Sequence, residues 1–263
     1  MSHIKWSSYS ILTEKINTIS TQRKKLGFQC KQFFIQHDQC AMKVGTDSLM
    51  LGSWCEVETA NKILDIGTGS GILALMLAQR TIAETRITGL DIDEAAVLQA
   101  RENGTNSPWA DKLNFAHTDV NHFFPCTQFD CIVSNPPYFE ATSEDSIAMS
   151  AARRKAREES TLTHQNLLKT VARLLEPRGT FYVVLPSDCA NRFDDLADKV
   201  GLYCDRKLQV RSSESRPFIR QLIAYKFSQC AMEKNEQSLT IYDENGQYTA
   251  AYKALCRAYY LNF

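Results

Sequence analysis

The stretch that decides the fold is Ile63-Leu64-Asp65-Ile66-Gly67-Thr68-Gly69-Ser70-Gly71. A short apolar run, typical of a buried strand, leads directly into a glycine-rich turn, and an apolar helical segment over 72–80 follows. Glycine lets the backbone turn tightly and approach a ligand closely, and a helix N-terminus presents unpaired N–H groups. The stretch therefore predicts a strand–turn–helix unit that binds a ligand at its turn. A tight turn without a ligand is the competing interpretation.

The spacing of the glycines narrows the class of ligand. Gly67, Gly69 and Gly71 give G-x-G-x-G, whereas a dinucleotide site has G-x-G-x-x-G. A Walker A loop would continue into Lys followed by Ser or Thr, and no such pair follows here. The loop thus matches neither of these phosphate-binding patterns.

Short apolar runs alternate with amphipathic segments on both sides of this unit. The predicted strands are 63–66, 87–90, 113–116, 131–134 and 181–185, and the predicted helices are 72–80, 94–103, 162–175 and 189–200. This alternation predicts a parallel sheet with helices on both faces. The late strands 202–209 and 221–227 are separated only by a turn, which predicts an antiparallel pair. Aromatic or Leu residues at helical spacing predict a C-terminal helix over 248–259.

Composition excludes several classes of protein. The chain has 263 residues, 44% hydrophobic and 23% charged, as in soluble globular proteins. Lys and Arg together number 30, as do Asp and Glu, so binding to nucleic acid would need a local basic patch. Nine cysteines without a C-x-x-C pair predict free thiols in a reducing, cytoplasmic compartment and no metal site. No apolar stretch approaches the roughly 20 residues of a membrane span, so we expect no membrane contact.

Three acidic residues each lie at or directly after a predicted strand. Asp65 lies in the first strand of the unit, Asp91 ends the next, and Asp119 follows the third. The carboxyl ends of parallel strands share one edge of a sheet, where open α/β sheets bind ligands. There Asp91 can accept both hydroxyls of a ribose, and Asp119 can accept the amine of an adenine. A solvated carboxylate or helix cap is the competing interpretation for each acid alone.

The loop after the fourth strand is Ser134-Asn135-Pro136-Pro137-Tyr138. Two consecutive prolines cannot continue a ladder of hydrogen bonds, so they stiffen this loop at the same edge of the sheet. A rigid turn that happens to contain Asn and Tyr is the alternative. Together, the loop and the acids predict a reaction site next to a nucleoside site.

The glycine-rich loop and the acids resemble the class I S-adenosylmethionine-dependent methyltransferases. The resemblance implies a Rossmann-like sheet of seven mostly parallel strands, the last of them antiparallel, with helices on both faces. It implies that Asp65, Gly67, Thr68, Gly69 and Gly71 cradle the amino-acid part of S-adenosylmethionine. Asp91 would then bind its ribose and Asp119 its adenine amine.

The Asn-Pro-Pro-Tyr loop resembles that of the amino-methylating members of this superfamily. These members act on exocyclic amines of adenine or guanine, or on a glutamine amide. The resemblance implies catalytic roles for Asn135, Pro136 and Tyr138, with Asn135 also beside the cofactor. Asn135 Oδ1 and the Pro136 carbonyl would accept hydrogen bonds from the amine, and Tyr138 would stack on a planar group.

Two entry segments, 28–38 and 41–47, resemble the bacterial tRNA1(Val) (adenine(37)-N6)-methyltransferases. The resemblance covers about 27–263 and implies that Thr46 and Asp47 lie beside the cofactor. It departs at Ser48, where that family usually has Gly. It further implies one methyltransferase domain over 28–263, in which 28–56 form an N-terminal addition leading to the cofactor site. Residues 1–27 then form an N-terminal arm.

Three basic clusters are candidates for contact with tRNA. They contain Lys31 near the entry segments, Arg153 and Arg157 after the chemical loop, and five residues around the late hairpin: Arg206, Lys207, Arg211, Arg216 and Arg220. We expect Lys31, Arg153 and Arg157 to bind RNA phosphates, and the protein to be a monomer. An rRNA or DNA amino-methyltransferase, a protein glutamine methyltransferase and an inactive cofactor-binding or RNA-binding subunit remain open at this point.

Overall fold

The structure is a computed structural model that describes residues 27–40, 42–136, 163–228 and 235–263. The strands, in chain order, are β1 (Gly27–Gln29), β2 (Phe34–Gln36), β3 (Lys62–Ile66), β4 (Arg86–Asp91), β5 (Leu113–His117), β6 (Phe129–Ser134), β7 (Leu175–Pro186), β8 (Tyr203–Arg211), β9 (Phe218–Lys226) and β10 (Asn235–Thr240). The helices are α1 (Thr46–Trp54), α2 (Ile72–Arg80), α3 (Glu94–Thr105), α4 (His164–Leu174), α5 (Ala190–Asp198) and α6 (Ala250–Cys256). Every strand and helix predicted from the sequence is present, with ends shifted by a few residues at most except at β7, which begins six residues earlier.

Eight strands form the main sheet, in the order β10-β8-β9-β7-β6-β3-β4-β5. The five strands β7, β6, β3, β4 and β5, which are neighbours in this order, pair in parallel. Strand β9 runs antiparallel to both of its neighbours, β7 and β8. The antiparallel pairing of the two late strands is confirmed. The mostly parallel, Rossmann-like sheet is also confirmed, with one more strand than the seven expected.

The extra strand is β10, which pairs in parallel with β8 at the edge of the sheet. The last of the seven predicted strands corresponds to β9 and is antiparallel, as expected, and β10 follows it in the chain. The segment Asn235–Thr240 is polar, and Leu239 is its only large apolar side chain. An edge strand pairs on one side only and needs little apolar surface, so periodicity does not reveal it.

Two hydrophobic clusters cover the two faces of the sheet. Ile63 packs into the cluster that includes α1, α2 and α6, whereas Leu64 and Ile66 pack into the cluster with α4 and α5. Successive residues of a strand point to opposite faces, so a strand buried on both faces is apolar at nearly every position. This explains why the residues of β3 that follow Lys62 are apolar, with the exception of Asp65.

The N-terminal hairpin β1–β2 forms a sheet of its own and packs against α3. Asn103 Oδ1 accepts a hydrogen bond from Gln36 N at 2.9 Å, and Asn103 Nδ2 donates to Gln36 O at 2.8 Å. Asn103 Nδ2 also donates to Ser70 O at 2.9 Å, which ties the hairpin to the glycine-rich turn. Apart from Gly27, the predicted arm over 1–27 lies outside the described residues. The proposed domain bounds remain a prediction.

No helix within the described ranges is long and apolar enough to cross a membrane. The eight cysteines that the structure describes are free thiols, and Cys230 lies outside those ranges. Burial raises the pKa of the Cys40 thiol to about 11 and holds that of Cys131 well above its usual range. These two thiols are therefore protonated at neutral pH and are poor nucleophiles.

Candidate cofactor and amine site

Strand register brings the glycine-rich turn and the chemical loop to one edge of the sheet. Ile66 at the end of β3 pairs with Leu90 of β4 on one side and with Ser134 of β6 on the other. Ser134 Oγ also donates to Ile66 O at 2.8 Å. Because the strands are parallel, the residues that follow them, including Gly67 and Asn135, emerge side by side.

Open space lies beside two glycines of the turn. Gly67 has a φ of 72° and Gly69 a φ of 53°, both in the left-handed region that glycine adopts without strain. A Cβ atom at either residue would meet no other atom within 4 Å in the described part of the chain. The N–H groups of Gly67 and Thr68 both donate to Leu90 O at 2.9 Å, which holds the turn against β4. The turn therefore has room for a ligand directly against its backbone.

Asp65 lies fully buried below this turn. Its Oδ2 accepts a hydrogen bond from Thr68 Oγ1 at 2.7 Å, and its Oδ1 forms no hydrogen bond of ordinary geometry with the described residues. Burial raises the pKa of Asp65 to about 7, although the Thr68 hydroxyl and the nearby Ala74 N–H act in the opposite direction. A buried carboxyl group with an unsatisfied oxygen favours a cationic or hydrogen-bond-donating ligand nearby.

Asp91 is held in place by two backbone groups. Gly69 N donates to Asp91 Oδ2 at 2.8 Å, and Asp93 N donates to Asp91 Oδ1 at 3.0 Å. Each carboxylate oxygen can accept a further hydrogen bond. The oriented, half-buried carboxylate at the end of β4 can therefore accept a pair of neighbouring hydroxyls, as a ribose presents them.

Asp119 takes part in a local turn. It caps the 3₁₀ turn Val120–His122, and its Oδ1 accepts from both Asn121 N and Asn121 Nδ2 at 2.9 Å. Its Oδ2 lies 3.3 Å from His122 Nδ1. Asp119 thus forms the cap that was the competing interpretation. An adenine amine would share the Asp119 carboxylate with the hydrogen bonds of this cap. Binding of the adenine amine by Asp119 remains a prediction.

The first turn of α1 contains Thr46 and Asp47. It contacts β9 and the loop that follows β6. Asp47 Oδ2 accepts a hydrogen bond from Arg220 Nε of β9 at 2.8 Å. In the next position, Ser48 Oγ accepts from Asn135 Nδ2 at 2.9 Å. The structure thus places Thr46 and Asp47 in the same helical turn as a residue that touches Asn135. Their contact with a cofactor remains a prediction.

Of the predicted catalytic residues, Asn135 and Pro136 are described, and Pro136 is buried. Tyr138, Arg153 and Arg157 lie outside the described residues. The ammonium group of Lys31 donates to Arg257 O and to Phe263 O, each at 2.7 Å. Lys31 therefore anchors the C-terminal segment, and its expected contact with RNA remains a prediction.

The basic cluster around the late hairpin is largely neutralised. Four of its five residues form ion pairs: Arg206 with Glu56, Lys207 with Asp194, Arg211 with Glu214, and Arg220 with Asp47. A cation already paired with a carboxylate contributes less to phosphate binding, because the carboxylate offsets its field. The sequence alone did not indicate the pairs of Arg206 and Arg220, since their acidic partners, Glu56 and Asp47, come from distant parts of the chain.

Two residues of this edge were missed by the sequence analysis. Ile92 follows Asp91 directly and is 60% exposed. Its contact with a base whose ribose is bound at Asp91 is a prediction. Ser48 was noted only as a departure from a family pattern. Its contact with Asn135 has no local signal, since 87 residues separate the two in the chain.

These features fit S-adenosylmethionine. Gly67 and Gly69 leave room for its amino-acid part, Asp65 offers an unsatisfied carboxyl oxygen, and Asp91 offers two acceptors for the ribose. Within the described ranges, no group of three or more His, Cys, Asp or Glu side chains is arranged to hold a metal ion.

Asp65 predicts a pH dependence of stability for the ligand-free protein. Its pKa rises from a usual value near 4 to about 7 in the folded state, so the folded state binds more protons between these values. The stability contributed by protonated Asp65 is therefore complete below about pH 4 and is lost as the pH rises through about 7. We expect the melting temperature of wild type to fall from pH 5 to pH 8 relative to that of Asp65→Asn.

Thermal melts of both proteins across this pH range measure the difference. The comparison with Asp65→Asn removes contributions of other groups, such as His37, whose pKa is lowered chiefly by burial and which acts in the opposite direction. Parallel curves for the two proteins would show that Asp65 does not titrate in this range.

Comparisons with known proteins match this chain to methyltransferases. The family model for the methyltransferase small domain matches residues 40–201. A tRNA1(Val) (adenine(37)-N6)-methyltransferase from Pseudoalteromonas atlantica is 44% identical over an alignment that covers 91% of this chain and 100% of the relative. A protein of the same name from Bacteroides thetaiotaomicron is 44% identical over 89% of this chain and 97% of the relative.

Solved structures support the fold alone, because their sequence identity is low. A protein described as a predicted O-methyltransferase from Agrobacterium tumefaciens superposes with a TM-score of 0.59 at 14% identity, covering 81% of this chain and 96% of its own. A Listeria monocytogenes protein assigned to the class I S-adenosylmethionine-dependent methyltransferases gives a TM-score of 0.52 at 14% identity, covering 80% and 67%.

Proposed function

Because the chain belongs to the family of tRNA1(Val) (adenine(37)-N6)-methyltransferases, we propose that it is an S-adenosylmethionine-dependent enzyme that methylates tRNA. Its favoured target is N6 of adenine 37 in tRNA1(Val), and its products are N6-methyladenine and S-adenosylhomocysteine. It acts in the cytoplasm as a monomer, without a metal ion.

The observation that carries this proposal is the pairing of Ile66 with Ser134. It brings the open turn at Gly67 and Gly69 next to Asn135, which is the residue expected to bind the target amine. A methyl donor in the turn and an amine at Asn135 would then be neighbours at one edge of the sheet. Binding of two reactants in a productive arrangement lowers the barrier by removing most of the entropy cost of their encounter.

The chemistry needs acceptors for hydrogen bonds more than it needs a base. The lone pair of an exocyclic amine is delocalised into its ring, so this nitrogen is a weak nucleophile. Asn135 Oδ1 and the Pro136 carbonyl would accept hydrogen bonds from the two N–H groups, which favours a tetrahedral nitrogen with a localised lone pair. When bound, S-adenosylmethionine supplies an electrophilic methyl group on its sulfonium. Transfer of this methyl group to the amine nitrogen would release S-adenosylhomocysteine as the leaving group, and the surplus proton on nitrogen would pass to water.

We propose that the substrate adenine leaves its stack in the RNA to reach this site, where Tyr138 stacks on it. The chain has no net charge, so RNA binding relies on local cations. Arg153 and Arg157 are the proposed phosphate contacts near the chemical loop. Lys31 is a weaker candidate, since its ammonium group already donates to two carbonyl groups.

The test is incubation of the purified protein with methyl-labelled S-adenosylmethionine and a panel of unmodified tRNA transcripts, followed by nucleoside analysis. We expect label in N6-methyladenosine from tRNA1(Val) and its loss after RNase treatment of the substrate. Label that resists RNase and co-migrates with protein would instead indicate a glutamine methyltransferase. Label only in rRNA or DNA would overturn the tRNA assignment.

Measurement of tRNA binding at several salt concentrations tests the phosphate contacts. In the Arg153→Ala/Arg157→Ala double variant, we expect weaker tRNA binding and a salt dependence whose slope is smaller by about two, since each contact releases about one counterion. Arg178→Ala removes a charge of the same kind from an exposed position and is the matched control. Equal salt slopes in the two variants would exclude Arg153 and Arg157 from phosphate binding.

A further inference from the structure

The first turn of α1 is a rigid support beside the chemical loop. The Asp47–Arg220 ion pair joins it to β9, and Leu49 N donates to Gly45 O at 3.3 Å within the turn. Between these contacts, Ser48 Oγ accepts a hydrogen bond from Asn135 Nδ2 at 2.9 Å. Ser48 is 6% exposed, so water has little access to this hydrogen bond. The contact therefore joins the side chain of Asn135 to a fixed part of the fold.

We propose that Ser48 is a positioning residue for methyl transfer, because its hydroxyl binds the nitrogen of the Asn135 carboxamide and so directs the oxygen of that group toward the target amine. This inference rests on the proposed function, in which Asn135 Oδ1 accepts a hydrogen bond from the amine. It assigns to Ser48 the role of holding the carboxamide in place beside the amine.

The reason is the near-symmetry of the carboxamide group. Its oxygen and its NH2 group have almost the same shape, so rotation by 180° about the last bond of the Asn135 side chain costs little steric energy. The two orientations differ in chemistry, since one presents an acceptor to the amine and the other presents a donor. An amine facing a donor loses a hydrogen bond and meets like partial charges. The hydrogen bond to Ser48 holds the carboxamide against this rotation, and with Nδ2 at Ser48 Oγ, as in the structure, the group presents Oδ1 on its opposite side.

The position of Ser48 suits this role. A hydroxyl oxygen can accept from Nδ2 as it does here, whereas glycine or alanine at 48 would present no side-chain acceptor. The first turn of α1 is anchored at both Asp47 and Gly45, which fixes the position of its backbone. A helical backbone in turn restricts the rotamers of Ser48. The orientation of Asn135 is thus set before substrate binds, as electrostatic preorganisation requires.

The test compares Ser48→Ala with Ser53→Ala under saturating S-adenosylmethionine and tRNA. Ser53 lies on the same helix, but its hydroxyl donates to Leu49 O of its own helix at 2.7 Å, so it is a matched control. For Ser48→Ala we expect kcat to fall by about tenfold, the order expected for one lost hydrogen bond. The Kd for S-adenosylmethionine, measured by calorimetry, and the melting temperature should stay near those of Ser53→Ala.

A double-mutant cycle separates positioning from a structural effect. In an Asn135→Ala background no carboxamide remains to be oriented, so adding Ser48→Ala should leave the residual single-turnover rate unchanged. If Ser48→Ala lowers this residual rate by the same factor as in wild type, the inference is wrong. Equal kcat values for Ser48→Ala and Ser53→Ala would also overturn it. Inactivity of wild type on every tRNA, by contrast, would overturn the proposed function itself.

Discussion

Asn135→Ala should lower kcat for methyl transfer by about a hundredfold to a thousandfold, while S-adenosylmethionine still binds. The variant removes an acceptor aimed at the group on which positive charge develops, and loss of one such preorganised partner costs about this much in other enzymes. In the proposed site the cofactor binds to the turn after β3 and to Asp91, which the variant leaves intact. Single-turnover labelling and calorimetry measure the two effects separately.

Asn135→Asp is the matched variant for this prediction. A carboxylate at 135 keeps the shape and the acceptor oxygens of the side chain, and the Ser48 hydroxyl can then donate to it. We expect Asn135→Asp to lose less activity than Asn135→Ala. Activity of Asn135→Ala within about threefold of wild type would contradict the mechanism, because the amine would not need this acceptor.

Asp91→Ala should weaken the binding of S-adenosylmethionine by about a hundredfold to a thousandfold. Two hydrogen bonds from ribose hydroxyls to a charged acceptor contribute about 3–4 kcal/mol together, and each 1.4 kcal/mol is a factor of ten. The variant also leaves Gly69 N and Asp93 N without their acceptor, which loosens the turn that holds the amino-acid part. Calorimetric titration of S-adenosylmethionine measures the change in Kd.

Asp93→Ala is the control for Asp91→Ala. Asp93 is an exposed acid two residues away whose Oδ1 caps α3 by accepting from Ala95 N at 2.9 Å. Its loss should cost about 1 kcal/mol of stability, as for other helix caps, with Kd unchanged. If both variants bind the cofactor as wild type does, Asp91 does not bind the ribose.

Local sequence predicts an element well where several independent requirements of that element appear together in the residue types. The strand–turn–helix unit from β3 to α2 needs an apolar run, glycines in left-handed conformations at 67, 69 and 71, and an apolar helix, and each requirement shows in the residue types. By contrast, α1 carries no clear periodicity because five consecutive residues, 48–52, are all buried. Likewise β1 and β2 are three residues each, too short for a repeat to be visible.

Residue types and their order along the chain were enough to establish the Rossmann-like sheet, the glycine-rich turn, the acids at its edge and the chemical loop. They were enough because parallel strands place the residues that follow them at one edge, whatever the details of packing. Only the tertiary structure decided which polar groups meet there. Ser48 and Asn135 form a hydrogen bond although 87 positions of the sequence separate them, and Lys31 and Phe263 do so at a separation of 232 positions.

Such contacts depend on the packing angles of helices and on the return path of the chain, and no local pattern encodes these. The sequence therefore determined the position of the site, since that follows from topology. The tertiary structure determined the orientation of its side chains, because a hydrogen bond depends on distances that only the packed chain sets.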